Sequence, residues 1–318
     1  MSVSLEQSKP KTSLGKNILA HFKRYWRLHV LALPAFAYMI IFSYLPMFGI
    51  TLAFQDYKVS TGFFHSKWVG LKNFEFLFSN NDVWRITRNT ICYNVAFIVL
   101  NTVLAVTLAI IFNEIYYKRT SKILQTLAIM PNFLSMTVVA IIVYGFLATQ
   151  NGVVNQIMKA VGGQVRNWYG YKAIWPPLLI ITYLWKNIGF SSIVYVASLS
   201  GLPQEYFEAA LLDGASKWQQ TKYISIPYMR NIITIMFILN LGGIIRGDIG
   251  LFRQVTQDSG ALYEVTDVID TYVYRALTTL NNTGMSAAAG VYQSVVGFIL
   301  ILVANAIVRR VDEDSALF

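Results

Sequence analysis

Charge is scarce in these 318 residues. Asp, Glu, Lys and Arg together make up 13% of the chain, against 55% apolar residues, where a soluble domain carries roughly a quarter charged residues. With a mean hydropathy of +0.48, that deficit fits a surface facing lipid, which gives charge no solvation. Cysteine is almost absent. Cys92 stands alone, which excludes an intrachain disulfide or a cysteine metal cluster, and it reads as a small buried hydrophobe. Only three histidines occur, His21, His29 and His65, near the first apolar run. No paired acid and base and no nucleophile with a base stands out, so no catalytic residue or metal site is expected. No Gly-x-x-x-x-Gly-Lys-Ser/Thr loop is present, so any ATP must be bound by another chain. Acids are outnumbered, 16 to 26, for a net charge of +10. No basic stripe with interleaved aromatics accompanies that excess, so nucleic acid is not the partner. Lys and Arg gather instead at membrane edges. No internal repeat is visible, which argues against carriers built from inverted repeats.

What is present is a series of apolar runs, 30–54, 90–112, 123–147, 176–199, 232–249 and 285–308. Each is near the ~20 residues that a helix needs to cross a bilayer, and only helices or closed barrels satisfy the backbone there. The expectation is an all-α membrane protein with six transmembrane helices. Its parts are a basic tail with an amphipathic helix (1–29), a membrane domain (30–308) and a short tail (309–318). The basic start, the Lys118, Arg119 and Lys122 loop and the Arg309–Arg310 pair place both termini in the cytoplasm. Pro131 interrupts the third run. The segment from Gly260 to Leu280, with Glu264, Asp267, Asp270 and Arg275, reads as an outside helix shaping the mouth of the molecule.

Between the fourth and fifth runs lies a polar stretch, 200–231. Pro203 suits a first helical turn, and Glu205 and Glu208 fall where the helix dipole favours acids. Ala209, Ala210, Leu211 and Leu212 propagate the helix. Gly214 can adopt a left-handed conformation and end it. Ser216 and Gln219 form a capping-box pattern for a second short helix, and Pro227 is expected to end or bend that one. The prediction is a helix-turn-helix elbow beside the bilayer, open to another surface at its small residues.

The order Glu208-Ala209-Ala210, three residues, Gly214, nine residues, Ile224, then Ser225, Ile226 and Pro227 resembles the EAA loop of binding-protein-dependent ABC importer permeases. Ile226 stands where that pattern has Leu. Trp68-Val69-Gly70-Leu71-Lys72-Asn73-Phe74, Asp248 to Phe252, Thr266 to Arg275 and Ala287 to Gly297 are similar to the carbohydrate permeases that handle oligosaccharides such as alginate and pectin fragments. The resemblance implies the type I importer permease (MetI-like) fold in a bacterial cytoplasmic membrane. It implies a second permease subunit, with a heterodimer favoured, an ATPase pair holding ATP and Mg, and an extracytoplasmic solute-binding protein. It assigns ATPase coupling to Glu205, Glu208, Ala209, Ala210, Gly214, Ile224 and Pro227. An ion-coupled carrier and a membrane scaffold or sensor are the alternatives.

Polar groups inside spans are costly and point to function or to interhelical bonds. Asn94, Asn101, Lys186, Asn187, Asn240, Tyr292 and Gln293 are such groups, with Arg246 and Asp248 beside them. Sugars are held by planar hydrogen-bonding groups and aromatic faces. Candidate path residues are therefore Tyr144, Trp185, Asn187, Tyr195, Asn240, Tyr292 and Gln293, with Tyr183 nearby.

Overall fold

The computed structural model describes residues 14–75 and 82–311. The expected acidic tail at Asp312–Asp314 and the first lysines of the basic tail lie outside them. Among the described residues five helices are long and apolar enough to span a membrane, or six if one pair bent at a short break counts as a single span.

Residues up to Thr51 form a unit of their own. Helix α1 (Leu14–Met39) leaves helical geometry at Tyr25, runs past Pro34, and continues through a π turn (Ile40–Tyr44) into a 3-10 stretch from Leu45. Leu31, Phe36, Tyr38 and Phe48 are all exposed. A helix apolar on every side needs lipid or another protein around it.

The second unit begins at Leu52. Two short antiparallel strands, β1 (Gln55–Asp56) and β2 (Lys67–Trp68), pair Gln55 with Trp68. Asn73 then pins the returning chain, its amide donating to the carbonyls of Ala53 at 3.1 Å and Gln55 at 2.8 Å. This is where the Trp68–Phe74 pattern falls. The long α2 (Asp82–Glu114) packs along α6 (Trp175–Ser200). Lipid tails provide no hydrophobic drive between helices, so close approach of small residues matters most. Ala105 and Ala109 are fully buried against Tyr195, Leu199 and Met229.

The third apolar run is broken. Helix α3 (Lys118–Ile129) ends in a 3-10 turn (Met130–Phe133), and α4 (Met136–Leu147) leaves at 94° to it. Pro131 alone does not account for so large a bend. The Lys186 ammonium donates to the carbonyls of Asn132 and Leu134, both at 2.7 Å. A cation from α6 thus caps carbonyls that the break orphans. A Cβ on Gly189 would stand 1.9 Å from the Ala128 carbonyl oxygen, so α3 touches α6 at bare backbone.

After α5 (Val153–Ala160) the chain reaches α6, then the elbow, then α9 (Ile226–Leu241). The fifth run was expected to stay helical to 249. Instead α9 ends at Leu241, where Gly242 and Gly243 begin a turn, and the chain resumes as a π turn (Gly250–Val255) laid on α4. Gly250 permits that contact, because a Cβ there would meet Met136 at 2.7 Å. Helix α10 (Ile269–Thr278) lies across the start of α2, and α11 (Thr283–Val311) completes the unit.

Cys92 corrects an expectation, for it is exposed. The buried stripe of α2 runs through Ile86, Thr90, Tyr93, Phe97 and Asn101, and Cys92 falls off that helical period.

Candidate functional site

The elbow forms two short helices, α7 (Glu205–Leu212) and α8 (Lys217–Gln220). Both acids, Glu205 and Glu208, occupy the first turn of α7, and Pro203 lies two residues before it. Gly214 stands at φ +76. Its N–H donates to the Leu211 carbonyl at 3.1 Å, and the Ala215 N–H reaches back to Ala210 at 2.9 Å. This pair of bonds is the Schellman termination, and it needs a left-handed residue at position 214. Ser216 then caps α8: its hydroxyl accepts from the Gln219 N–H at 3.3 Å, while the Gln219 side chain accepts from the Ser216 N–H at 2.7 Å.

Pro227 does not end the second helix. The chain passes from α8 through a π turn (Thr221–Ser225) directly into α9, with Pro227 in the first turn of α9. There its missing N–H costs no established bond, since the π turn has already loosened the ladder. Ile224 lies inside that π turn. The elbow is tied to the membrane helices where the Thr221 hydroxyl donates to Glu114 at 3.4 Å, at the end of α2. The turn to Lys118 therefore lies at the same end of the bundle.

Most of the elbow faces outward. Leu212 is 90% exposed, and Tyr206, Leu211 and Trp218 are also exposed, beside Glu205, Glu208 and Ala209. Ala210 is half-buried. Apolar side chains presented on a stiff, capped helix mark an interaction surface, for a protein or for the membrane.

The intramembrane candidates divide. Tyr195 is 2% exposed, inside the core shared by α2, α6 and α9, where the small side chains of α2 draw that face of α6 inward. The Tyr292 hydroxyl pairs with Thr87 at 2.9 Å, joining α11 to α2. Gln293 donates to the Ile245 carbonyl and to Asp270 at 2.8 and 3.0 Å. Asn187 accepts from Asn132 across the α3–α4 bend. Asn101 bonds Ser191, and Asn94 bonds the Arg246 carbonyl. These groups hold helices together. No Arg246–Asp248 ion pair forms among the described residues; Asp248 caps the Leu251 N–H instead. Tyr144, Trp185 and Asn240 keep exposed faces. Tyr144 lines a hollow of about 550 Å³ with Thr149, Asn151, Asn167, Tyr169 and Gln257, and the other six candidates do not line it.

Residues 101–313, two thirds of the chain and all of the elbow, match the family described as binding-protein-dependent transport system inner membrane component. The chain belongs to this family. The permease is 33% identical to protein LplB of Bacillus subtilis (strain 168) over 99% of both chains. It is 30% identical to the polygalacturonan/rhamnogalacturonan transport system permease protein YteP of the same organism, over 96% of this chain and 94% of that one. Its fold matches a crystal structure of a bacterial alginate ABC transporter in complex with an alginate pentasaccharide-bound periplasmic protein. The TM-score is 0.81 at 30% identity, covering 92% of the permease and 97% of that chain. It is thus a multi-pass, all-α membrane transport subunit of the inner membrane.

Sequence reasoning missed three features of this permease. Lys186 was noted as a polar group, but not as the cap of the α3–α4 break. Asn155 is fully buried and gathers the Ala148 to Trp168 loop: its amide donates to the carbonyls of Thr149 and Arg166, and its oxygen accepts from the Trp168 indole. Gln254 and Gln257 line hollows beside α4. Lys186 and the two glutamines carry no local signal because their neighbours come from distant segments, and Asn155 carries none because its partners are mainly backbone carbonyls of an irregular loop 6 to 13 residues away.

Proposed function

We propose that this permease forms, with a second permease, the membrane path of an ATP-driven importer of oligosaccharides, those rich in uronic acid first among them. An extracytoplasmic binding protein delivers the sugar. A separate ATPase pair holds ATP and Mg and drives the change of access. The exposed, doubly capped elbow carries this reading. Glu205, Glu208, Ala209, Ala210 and Gly214 shape a rigid knob that a cytoplasmic ATPase can grip, and Ile224 and Pro227 join it through the π turn to α9. Movement of the knob is thereby passed to a membrane helix. The Lys118 turn at the same end supports placing that end, with both termini, in the cytoplasm. The relatives named for polygalacturonan/rhamnogalacturonan transport and for alginate support an acidic oligosaccharide as cargo.

The test is ATPase activity and uptake by the reconstituted complex, with a panel of plant and algal oligosaccharides on the binding protein. Stimulation by one class of loaded binding protein, with ATP-dependent uptake, is the expected result. Uptake by this chain alone under an ion gradient would overturn the reading in favour of a carrier.

A further inference from the structure

The hollow at Tyr144 does not stand alone. A second one, of about 390 Å³, is lined by Thr137, Ala140, Ile141, Arg253, Gln254, Gln257 and Asp258, and Gln257 is common to both. Each volume falls within the ~300–1,000 Å³ usual for small-ligand sites. They meet at Gln257 in one groove along α4, in which polar side chains are set among apolar surface. Tyr169 packs on Trp175 with ring centroids 5.0 Å apart, at the start of α6. The elbow follows the other end of that helix, which is 26 residues long, or about 39 Å.

The backbone here is held in an unusual shape. Gln257 and Asp258 stand at φ +56 and +49, two successive non-glycine residues in the left-handed region. Such strain persists only where surroundings enforce it, and it gathers at ligand clamps and switches. The enforcing contacts are present. The Asp258 N–H donates to the Arg253 carbonyl at 2.9 Å, the Asp258 carboxylate accepts from Arg253 at 3.3 Å and from the Tyr263 hydroxyl at 3.1 Å, and the Ser259 hydroxyl donates to the Tyr169 carbonyl at 3.1 Å. The result sets Gln257 at the junction of the two hollows.

The lining is chemically selective. Carboxamides (Asn151, Asn167, Gln254, Gln257) and hydroxyls (Thr137, Tyr144) can both donate and accept, which suits vicinal sugar hydroxyls. Tyr144 adds an aromatic face for a sugar ring. The one cation, Arg253, is neutralised by Asp258 and sits 4.5 Å over the Tyr274 ring.

We infer that this groove is a sugar subsite at the far end of the bundle from the elbow, taking the hydroxyl-bearing face of one or two pyranose units, with Gln257 and Tyr144 as its central contacts. It rests on the oligosaccharide reading above and deepens it. The groove reads hydroxyls and ring faces, so its grip is insensitive to salt, whatever charge the rest of the cargo carries.

The test uses the reconstituted complex and uronic-acid trisaccharides carrying a photoreactive diazirine, loaded on the binding protein. Peptides covering 137–151 or 251–259 are expected to take the label. Gln257→Asn shortens the side chain by one methylene while keeping a residue that tolerates positive φ. It and Tyr144→Ala should each weaken labelling and raise the half-saturating sugar about tenfold, the worth of about one hydrogen bond in a half-desolvated site. The shift should be the same at low and high salt. Thermal midpoints and basal ATPase rates report that the variants are folded. Label elsewhere, label on the binding protein alone, or wild-type uptake by both variants overturns the subsite while import itself stands. A wild-type complex that hydrolyses ATP but imports no sugar overturns the import reading and the subsite with it.

Discussion

The two ends of the bundle are built on opposite plans. The elbow is held by bonds of short reach: Ala215 to Ala210, Gly214 to Leu211, and the reciprocal Ser216 and Gln219 pair. Among the described residues its one long-range hydrogen bond is Thr221 to Glu114, and most of its apolar side chains lie open. The crown around α10 is welded to the bundle. The Asp267 carboxylate is wholly buried, 2.6 Å from Arg275 and 3.8 Å from Arg85, and accepts from the Thr271 hydroxyl at 2.8 Å. Asn89 on α2 donates to the carbonyls of Glu264 and Asp267, Tyr93 donates to Val265, and the Ile269 N–H donates to Thr90. The coupling role proposed for the elbow asks that it be stiff within itself and lightly tied to its neighbours. The crown, by contrast, is fixed in place by bonds to α2.

That contrast is open to measurement. The largest effect belongs to the crown. Arg275→Met strips Asp267 of its nearer cation, and breaking a buried pair costs about 3–5 kcal/mol. The thermal midpoint of the purified protein in detergent should fall steeply, and protease should cut first within 260–280. A midpoint unmoved by this change would erase the distinction between the two ends.

Gly214→Val comes next. A β-branched residue in the left-handed region costs roughly 1–2 kcal/mol, and the elbow is exposed enough that little else is disturbed. The expected outcome is a small loss of stability and a large loss of sugar uptake per ATP hydrolysed. Wild-type coupling in this variant would show that the shape of the elbow is unimportant. Ser216→Ala removes one cap, worth about 1 kcal/mol. It should lower coupling partially, and restoring the hydroxyl with Ser216→Thr should recover it.

The smallest effect is one of pH. Burial holds the Asp270 carboxyl above its ordinary range, while hydrogen bonds from the Gly247 N–H and Gln293 pull it back down. An acid raised in the folded state keeps its proton longer there than in the unfolded chain. Stability therefore falls as pH rises from about 4, the ordinary Asp value, through the raised one. Asp270→Asn should flatten that part of the profile of thermal midpoint against pH. Glu264 moves the other way, lowered by its hydrogen bond and ion pair with Lys172, and its exposure leaves it little influence.

How much of this was legible beforehand follows from the reach of each interaction. Helix α7, the left-handed Gly214 and the Ser216 box were all readable, because each is closed by partners within five residues. The apolar runs were readable because lipid demands composition rather than arrangement. Where a run met a distant partner, reading stopped. Pro131 marked an interruption without its angle, and Pro227 looked like a stop because nothing local announces a π turn. The burial of Tyr195 was not readable, because it depends on Ala105 and Ala109, far away on α2.

The sequence by itself thus determined that this chain lives in a membrane, and it determined the elbow between the fourth and fifth apolar runs. Both rest on properties that residues carry alone or pass to near neighbours: side-chain solvation, helix caps and the conformational freedom of one glycine. Only the tertiary structure decided the 94° break under Lys186, the burial of Asp267 between two arginines, the exposure of Cys92 and the groove at Gln257. The break and the groove join distant segments, Asp267 meets Arg85 of another helix, and the exposure of Cys92 follows from which face of α2 is packed; a linear pattern of apolar and polar positions contains no record of which helix will meet which.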